Sequence, residues 1–513
     1  AQYGQVEALG LLQEIGTEMH SKDITGGEMP SHVAAQYGQV EALRLLQDLG
    51  ADVHTKDIDG RTMAHWAAKR GQVEALRLLQ ELGADMRAKD NDSSTPAHWA
   101  AGYGQVETLR FLNELGADMH AKDIDGRTPS HVAAQYGQVE ALRLLKELGA
   151  DMHATDVNGG EMPAHWAAGY GQVEALRLLQ ELGADVHAED NDGRTPAHWA
   201  AQNGKVEALR VLHELGADAH TKDNEGITPA HRAGTSGQVG ALRLLQEFGA
   251  DMHAKDNSGR APMHAAAKCG QVEALRLLQG ADMRAKDNDS STPAHWAAGY
   301  GQVEALRVLS ELGADVQAKD NNGTTPAHWT AGHGQVEALR LLQKLGADVH
   351  AEDNYSTAPG DWAAGNGHVE AFRFLNELGA DVPAKNNDCR KLAHLAAKSG
   401  QVEALRLSQQ LDADVRANDN DGGVPAHVAA QYGQVEALGL LQEIGTEMHS
   451  KDITGGEMPS HVAAQYGPSA FEGDAGAECG RKRPGENPWT FEGAQCRCEL
   501  AGQRWRGTGA RDF

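Results

Sequence analysis

A seven-residue string, Thr-Pro-Ala-His-Trp-Ala-Ala or a close variant, returns along this chain every 33 residues, and that short period limits the possible folds more than any other feature. Its histidine stands at positions 32, 65, 98, 131, 165, 198, 231, 264, 295, 328, 394, 427 and 461, and Asp361 fills the one gap. The spacing is 34 before His165 and His461, 31 before His295, and 66 across Asp361. Cutting before the turn glycine gives thirteen whole repeats: 26–58, 59–91, 92–124, 125–158, 159–191, 192–224, 225–257, 258–288, 289–321, 322–354, 355–387, 388–420 and 421–454. Partial repeats occupy 1–25 and 455–467, and a segment without period occupies 468–513. A chain of 513 residues would otherwise suggest roughly three or four globular domains. A repeat this short cannot bury its apolar face alone, so the repeats must stack into a solenoid.

Each repeat reads as two short helices and a turn. Pro96 stands where a first helical turn tolerates a missing N–H, with Thr95 before it as the cap, and that helix stops near Gly104. A second helix follows in Gln-Val-Glu-Ala-Leu-Arg-Leu-Leu, residues 72–79 in one clean copy. There Val73, Leu76, Leu79 and Leu82 recur at helical spacing, while Glu74, Arg77 and Glu81 are placed for ion pairs on the outer face. Gly83 is the left-handed stop, and Asp90-Asn91-Asp92 opens a turn.

The 33-residue period, Thr-Pro-x-His-x-Ala-Ala, Leu-Leu-x-x-x-Gly-Ala-Asp and Asp-x-x-Gly together resemble the ankyrin repeat, over residues 1–467. The resemblance implies an all-α stack of helix pairs with projecting β-hairpin fingers, a concave groove lined by the first helices, and a role in binding other proteins. Two departures stand out. The Leu that the family carries between Pro and His is here Ala or Ser. The Asn of its Gly-Ala-Asp-Val-Asn segment is mostly His, as at His54, His187 and His350.

Residues 1–38 are identical to 430–467, and 83–107 to 280–304, which implies recent duplication. The first residue falls inside a repeat, so the N-terminal end reads as truncated. Residues 468–513, rich in Gly and Arg, read as a disordered tail. Substitutions that break the repeat cluster between 354 and 412: Asp361 for His, Ala358 for Thr, Lys391-Leu392 for Thr-Pro, Ser408 for Leu and Asp412 for the stop glycine. That stretch is expected to open first. The two residues missing after Gln279 are expected to be the lesser defect.

Composition closes several function classes. A formal charge of −27 repels phosphate backbones and disfavours sequence-independent nucleic-acid binding. No run of 18 apolar residues exists, so no segment reads as a membrane span. Five scattered cysteines (Cys269, Cys389, Cys479, Cys496, Cys498) make no disulfide framework, which points to a reducing compartment and a cytoplasmic protein. Phosphate loops, nucleophile elbows and His-Glu-x-x-His pairs are missing, so no enzyme reading arises. The turn Asp190-Asn191-Asp192-Gly193 fails a calcium loop, because Ala188 stands at its first ligand position and no Glu closes it. Cys479, Cys496 and Cys498 lack zinc spacing. Of 25 histidines, thirteen start first helices and nine occupy the segment after Ala-Asp or its Thr-Glu counterpart; rings placed by the repeat bridge loop backbone more naturally than they converge on a metal. No cofactor or metal is expected.

Aromatic residues carry the functional signal. Counted from the repeat histidine, Trp stands at +1 in seven repeats and Tyr at +5 in seven, two positions that share one helical face. The opposite face, at −1, +2 and +3, is small, as in Ala97, Ala100 and Ala101. The stripe reads in two ways: as packing that restores the bulk of the missing Leu, or as a recognition surface. Its +4 and +5 residues vary most: Lys69-Arg70, Gly102-Tyr103, Gln202-Asn203, Gly332-His333. The candidate partner-binding residues are therefore Trp66, Arg70, Trp99, Tyr103, Tyr136, Trp166, Tyr170, Trp199, Asn203, Trp296, Tyr300, Trp329 and His333. The expected function is that of a monomeric, non-catalytic scaffold binding another protein through groove and finger tips, with an acidic surface that favours a basic or mixed-charge partner. The alternative is the substrate-recruiting arm of a larger ubiquitin ligase or kinase; metal storage is a distant third.

Overall fold

The computed structural model describes residues 28–280, 283–378, 392–410, 422–446 and 458–465, with the single positions 418 and 448. The expected partial repeat at 1–25, the tail from 468, and Lys391 and Asp412 lie outside the described residues, as do the side chain of Ser408 and the cysteines other than Cys269. The chain divides into two compact bodies, one running to Ala233 and including Gln238–Asp251, the other made of Gly234–Gly237 and the residues from Met252 on. Each body is a stack of the same helix pair.

Among the described residues there are 27 α-helices, one short 3-10 helix and no strand. The all-α repeat solenoid is thus present. Where fingers are expected, the described residues show tight turns without strand pairing. In one such turn the Asp90 carboxylate accepts the backbone N–H groups of Asp92 (3.0 Å) and Ser94 (2.8 Å), while the Asp90 N–H donates to Ser94 O (3.0 Å). Asp59 O then accepts the N–H of Asn91 in the following turn (2.9 Å), and Asp92 O accepts that of Ile124 (2.8 Å), so neighbouring turns are tied by single backbone bonds.

The repeat 92–124 shows how sequence becomes structure. Its first helix runs Pro96–Gly102 behind Thr95, whose backbone is extended (φ −100°, ψ 166°). Thr95 is the capping residue, yet its hydroxyl contacts the His98 ring (2.9 Å) instead of a helical N–H. Gly104, at φ +69°, turns the chain into the second helix, Val106–Glu114. A side chain at the equivalent Gly71 is opposed by its φ of +74°, and it would also displace the Gln105 amide, whose Oε1 lies 2.3 Å from where a Cβ would stand. That glutamine reaches back to donate to Lys69 O (3.3 Å), and Gln138 and Gln172 repeat the bond to Gly102 O and Gln135 O.

In the second helix Val73–Glu81, the buried residues are Ala75, Leu76, Leu78 and Leu79. Ala75 and Leu78 escape a reading based on every third or fourth residue, because this helix packs on its own first helix and on second helices of neighbouring repeats, which widens the apolar stripe. The outer ion pairs also differ from expectation. Arg77 meets Glu74 within the helix (3.6 Å), but Glu81 meets Arg44 of the preceding repeat (3.8 Å). All four side chains are exposed, so these pairs add little.

Small residues at −1, +2 and +3 are fully buried, as at Ala97, Ala100 and Ala101. A glycine at +4 does separate work: it receives the ring of the next repeat. A Cβ on Gly299 would lie 2.9 Å from Trp329, and one on Gly332 2.8 Å from Trp362. At Gly365, which precedes Leu395, the nearest atom would be 3.9 Å away. Gly365→Ala is therefore expected to gain up to about 1 kcal/mol of helix propensity, while Gly299→Ala is expected to lose about 1–3 kcal/mol through overpacking. Paired thermal melts check this, and equal shifts would refute the packing role.

The deletion after Gln279 ends one second helix early, at Leu277, with a 3-10 turn over Leu278–Gly280. Its flanking first helices, Pro262–Lys268 and Pro293–Gly299, keep full length.

Candidate functional site

The repeat histidines are built into the backbone. At His65, Nδ1 accepts the Thr62 N–H (3.1 Å) and Nε2 bonds Ser94 O, 29 residues further on (3.0 Å). An amide N–H can only donate and a carbonyl can only accept, so the ring is neutral with its proton on Nε2. The same bridge recurs from His98 to Arg127 O (2.9 Å), from His198 to Ile227 O (3.0 Å) and from His295 to Thr324 O (3.1 Å). Burial holds His65 down to about 3, and His98, His131, His198 and His264 to about 4. With both ring nitrogens engaged, these side chains have no lone pair to offer a metal. Among the described residues no three His, Cys, Asp or Glu side chains gather as metal ligands would. The second series, as at His187, is exposed, and there the backbone N–H donates to the carboxylate of Asp185 (2.8 Å).

The tryptophans are held from two sides. Trp66, Trp99 and Trp296 donate Nε1–H to Asp57, Asp90 and Asp287, nine residues back (3.1, 3.1 and 3.0 Å), and Trp199 does so to Asp190 (3.3 Å). Arginine at −4 lies over the rings: Arg61 is 5.5 Å from Trp66 and 4.9 Å from Trp99, and Arg194 is 4.9 Å from Trp199. These arginines are in turn gripped by turn carboxylates, as Arg127 is by Asp123 (2.9 Å) and Asp125 (3.2 Å). Trp66 and Trp329 are buried; Trp99, Trp166, Trp199 and Trp296 are half-buried. Neighbouring rings touch, Trp66 on Trp99 at 6.5 Å and Trp296 on Trp329 at 5.7 Å between centroids. Packing between first helices thus accounts for much of the tryptophan stripe.

The tyrosines face outward. In the first body Tyr103 is 48% exposed, Tyr136 45% and Tyr170 37%, at the same position of three successive repeats. Burial and, for Tyr136, the flanking Tyr103 and Tyr170 raise their hydroxyl pKa. Arg70 is exposed one repeat earlier; Asn203, half-buried one repeat later, donates to Gly169 O (3.1 Å). In the second body Tyr300 and His333 are half-buried, and His333 Nδ1 bonds Trp329 O (2.8 Å). The sequence missed the row of apolar turn tips on the first body: Ile58, Ile124 and Val157 are about three-fifths exposed. Their signal was available, as apolar residues at an otherwise Asn position.

One repeat breaks the pattern. The extra residue before His165 moves Trp166 ten places from Asp156, whose carboxylate keeps the turn N–H groups, here of Gly159 and Glu161 (3.1 and 3.0 Å). Trp166 Nε1 is buried and finds no acceptor. Glu161 occupies the place of the arginine; burial foremost, then Asp156, pushes it up to about 8, although Arg194 lies 3.8 Å away. A separate shallow cleft in the first body, between the turn segments 86–95 and 117–122, contains no aromatic residue, and its Lys89 and Lys122 are committed to the carbonyls of Lys122 and Thr155 (3.3 and 2.7 Å).

No helix among the described residues is long and apolar enough to cross a membrane. No curated protein matches the chain. The family model described as ankyrin repeats (3 copies) matches at nine overlapping placements, the first at residues 1–90 and the last at 361–452, which leave no gap between them. With the period, the helix pairs and the histidine bridge agreeing, the chain belongs to the ankyrin-repeat family.

Proposed function

We propose that this protein is a non-catalytic scaffold whose first-helix face and turn tips bind another protein. Ankyrin repeats generally mediate protein–protein interaction, and the observation that carries the reading here is the tyrosine row Tyr103, Tyr136 and Tyr170, exposed where an idle surface would be polar. Tryptophans beneath the row stiffen it: Trp99 stacks on Tyr103 at 6.1 Å and Trp166 on Tyr170 at 6.0 Å. In this reading Trp66, Trp99, Trp166 and Trp199 position the surface in the first body, and Arg70 and Asn203 flank it. In the second body Tyr300 and His333 form the corresponding surface, with Trp296 and Trp329 positioning it. The thirteen repeat boundaries serve as binding modules of a monomer. A formal charge of −27 favours a basic or mixed-charge protein partner over nucleic acid, in a reducing compartment such as the cytoplasm.

The test is a double substitution, Tyr103→Ala with Tyr136→Ala, in the full chain. Binding of a captured partner is expected to fall by about tenfold or more, with thermal stability nearly unchanged, while Glu74→Ala on the second helix leaves binding intact. Normal binding by a folded double variant would refute the surface.

A further inference from the structure

Three Trp–Tyr steps in this protein have the same stacked geometry, and two of them carry a lysine of the chain itself. In the first body Lys69 Nζ lies 5.4 Å from the Trp99 centroid and 5.2 Å from that of Tyr103, with the Arg61 guanidinium also over Trp99. In the second body Lys268 Nζ lies 5.6 Å from Trp296 and 5.0 Å from Tyr300, with Arg260 over Trp296 at 5.7 Å. The ring pairs themselves are 6.1 and 6.0 Å apart and within 13° of parallel. Each step therefore takes two cations from the preceding repeat, an arginine from its turn and a lysine from the end of its first helix.

The third step, Trp166 on Tyr170, is stacked alike at 6.0 Å and 11° and keeps its arginine, Arg127, 5.4 Å from Trp166. Its lysine is missing. The equivalent position, four residues after His131, is Gln135, whose amide bonds the Tyr170 hydroxyl and brings no charge. Glu161 stands where its neighbours have arginine, its side chain only 12% exposed, and Asp156, Asp190 and Asp192 act on it.

We propose that the Trp166–Tyr170 step is the seat for a lysine side chain of the bound partner, the ammonium taking the place that Lys69 and Lys268 fill on the sister steps. This deepens the first-helix reading and rests on it. The choice of lysine comes from the chain's own practice: the position held here by the uncharged Gln135 is the one filled by a primary ammonium elsewhere, whereas the guanidinium position is already taken by Arg127. Charge complementarity agrees, since the chain carries a formal charge of −27. Tyr170 is exposed and offers one ring edge and face to the newcomer.

The experiment uses the full chain and a decalysine peptide as probe, titrated calorimetrically beside its Nε-acetylated form. Gln135→Lys gives the step its own ammonium and is expected to weaken decalysine binding about fivefold or more. Gln202→Lys adds the same charge at the same repeat position, but before a repeat that carries Arg232 in place of Trp, and is expected to change binding less than about twofold. Because Gln135 is buried, Tyr170→Leu provides a second variant that removes the exposed ring alone and is expected to match Gln135→Lys. Equal losses in the two lysine variants would mean bulk charge and overturn the seat, as would equal binding of the acetylated peptide or no binding of decalysine. If Tyr103→Ala with Tyr136→Ala weakens the probe while Gln135→Lys and Tyr170→Leu do not, the first-helix surface stands and the lysine seat falls. If none of these variants matters, both fall.

Discussion

Lowering the pH from 7 to 5 is expected to unfold this protein steeply, with uptake of several protons at once. Eight helix-start histidines have a pKa lowered by burial: His65, His98, His131, His165 and His198 in the first body, and His264, His295 and His328 in the second. The sign follows from linkage. A histidine whose folded pKa is depressed binds its proton more readily when unfolded, so its contribution is intact above the unfolded value of 6.5 and is lost as pH falls towards 3 or 4. Each one removes about 1.4 kcal/mol per pH unit within that window. Carboxyls raised by burial oppose them, Asp90, Asp123 and Asp287 among them, and two are raised far. Glu161, raised to about 8, and Asp361, raised to about 7, stay protonated in the folded state while their unfolded carboxyls ionise above pH ~4.5. The five histidines held near 3 or 4, less these two carboxyls, leave a net uptake of roughly three near pH 5.5. Because a solenoid's stability is a sum over repeats and their neighbours, the loss should appear as a falling, broadening melt as well as a lower midpoint. Denaturant titrations at half-unit pH steps measure the slope. A net uptake of fewer than about two protons would show that the buried rings do not control acid stability.

Much of this architecture was legible from the repeat, and the misses share a cause. The helix bounds, the left-handed glycines and the small buried face at Ala97, Ala100 and Ala101 follow from residues a few positions apart, and all are found. What sequence reading missed lies between repeats. That the helix-start rings bridge loop backbone was expected, but not which carbonyl they reach: His98 bonding Arg127 O, Glu81 meeting Arg44, and Gly299 receiving Trp329 each join residues about 30 or more apart, at distances fixed by stacking and not by helical period. The tryptophan stripe shows the consequence for function. Position alone made Trp and Tyr equal candidates, since +1 and +5 share a face. Only the neighbour's Gly299, which receives the ring, and the Thr324 hydroxyl, which accepts its Nε1–H, separate a packed ring such as Trp329 from an exposed one such as Tyr103. The extra residue before His165 was visible as a spacing of 34, but its effect on Trp166 and Glu161 was not, because both partners lie across the turn it deforms.

Replacing Asp361 is expected to strengthen the repeat that carries it, and more so as the pH rises. Asp361 starts the first helix Pro359–Gly365 in the place of the histidine, 3% exposed, and accepts the Ala358 N–H at 3.0 Å as the ring nitrogen does elsewhere. A carboxylate there has lost its water, and Asp353 and Glu352 add like charge; burial is the larger cause, and together they push the group up to about 7. For an acid whose folded pKa is raised, the stabilising form is the protonated one, so the contribution is intact below the unfolded value of 3.8 and is lost as pH rises towards 7. At pH 8 the deficit is about 4 kcal/mol, at pH 5 about half that, and below pH ~4 it vanishes. Asp361→Asn keeps the size and an acceptor for Ala358 but carries no charge; Asp361→His restores the ring of the other repeats. Measured against wild type at the same pH, so that the histidines cancel, hydrogen exchange over Pro359–Gly365 is expected to slow in Asp361→Asn by a margin that shrinks between pH 8 and pH 5. Proteolytic cutting between 354 and 412 should slow in parallel, since repeats unlike their neighbours open first. A margin that is the same at both pH values would show that this repeat is weak for reasons other than its buried carboxylate.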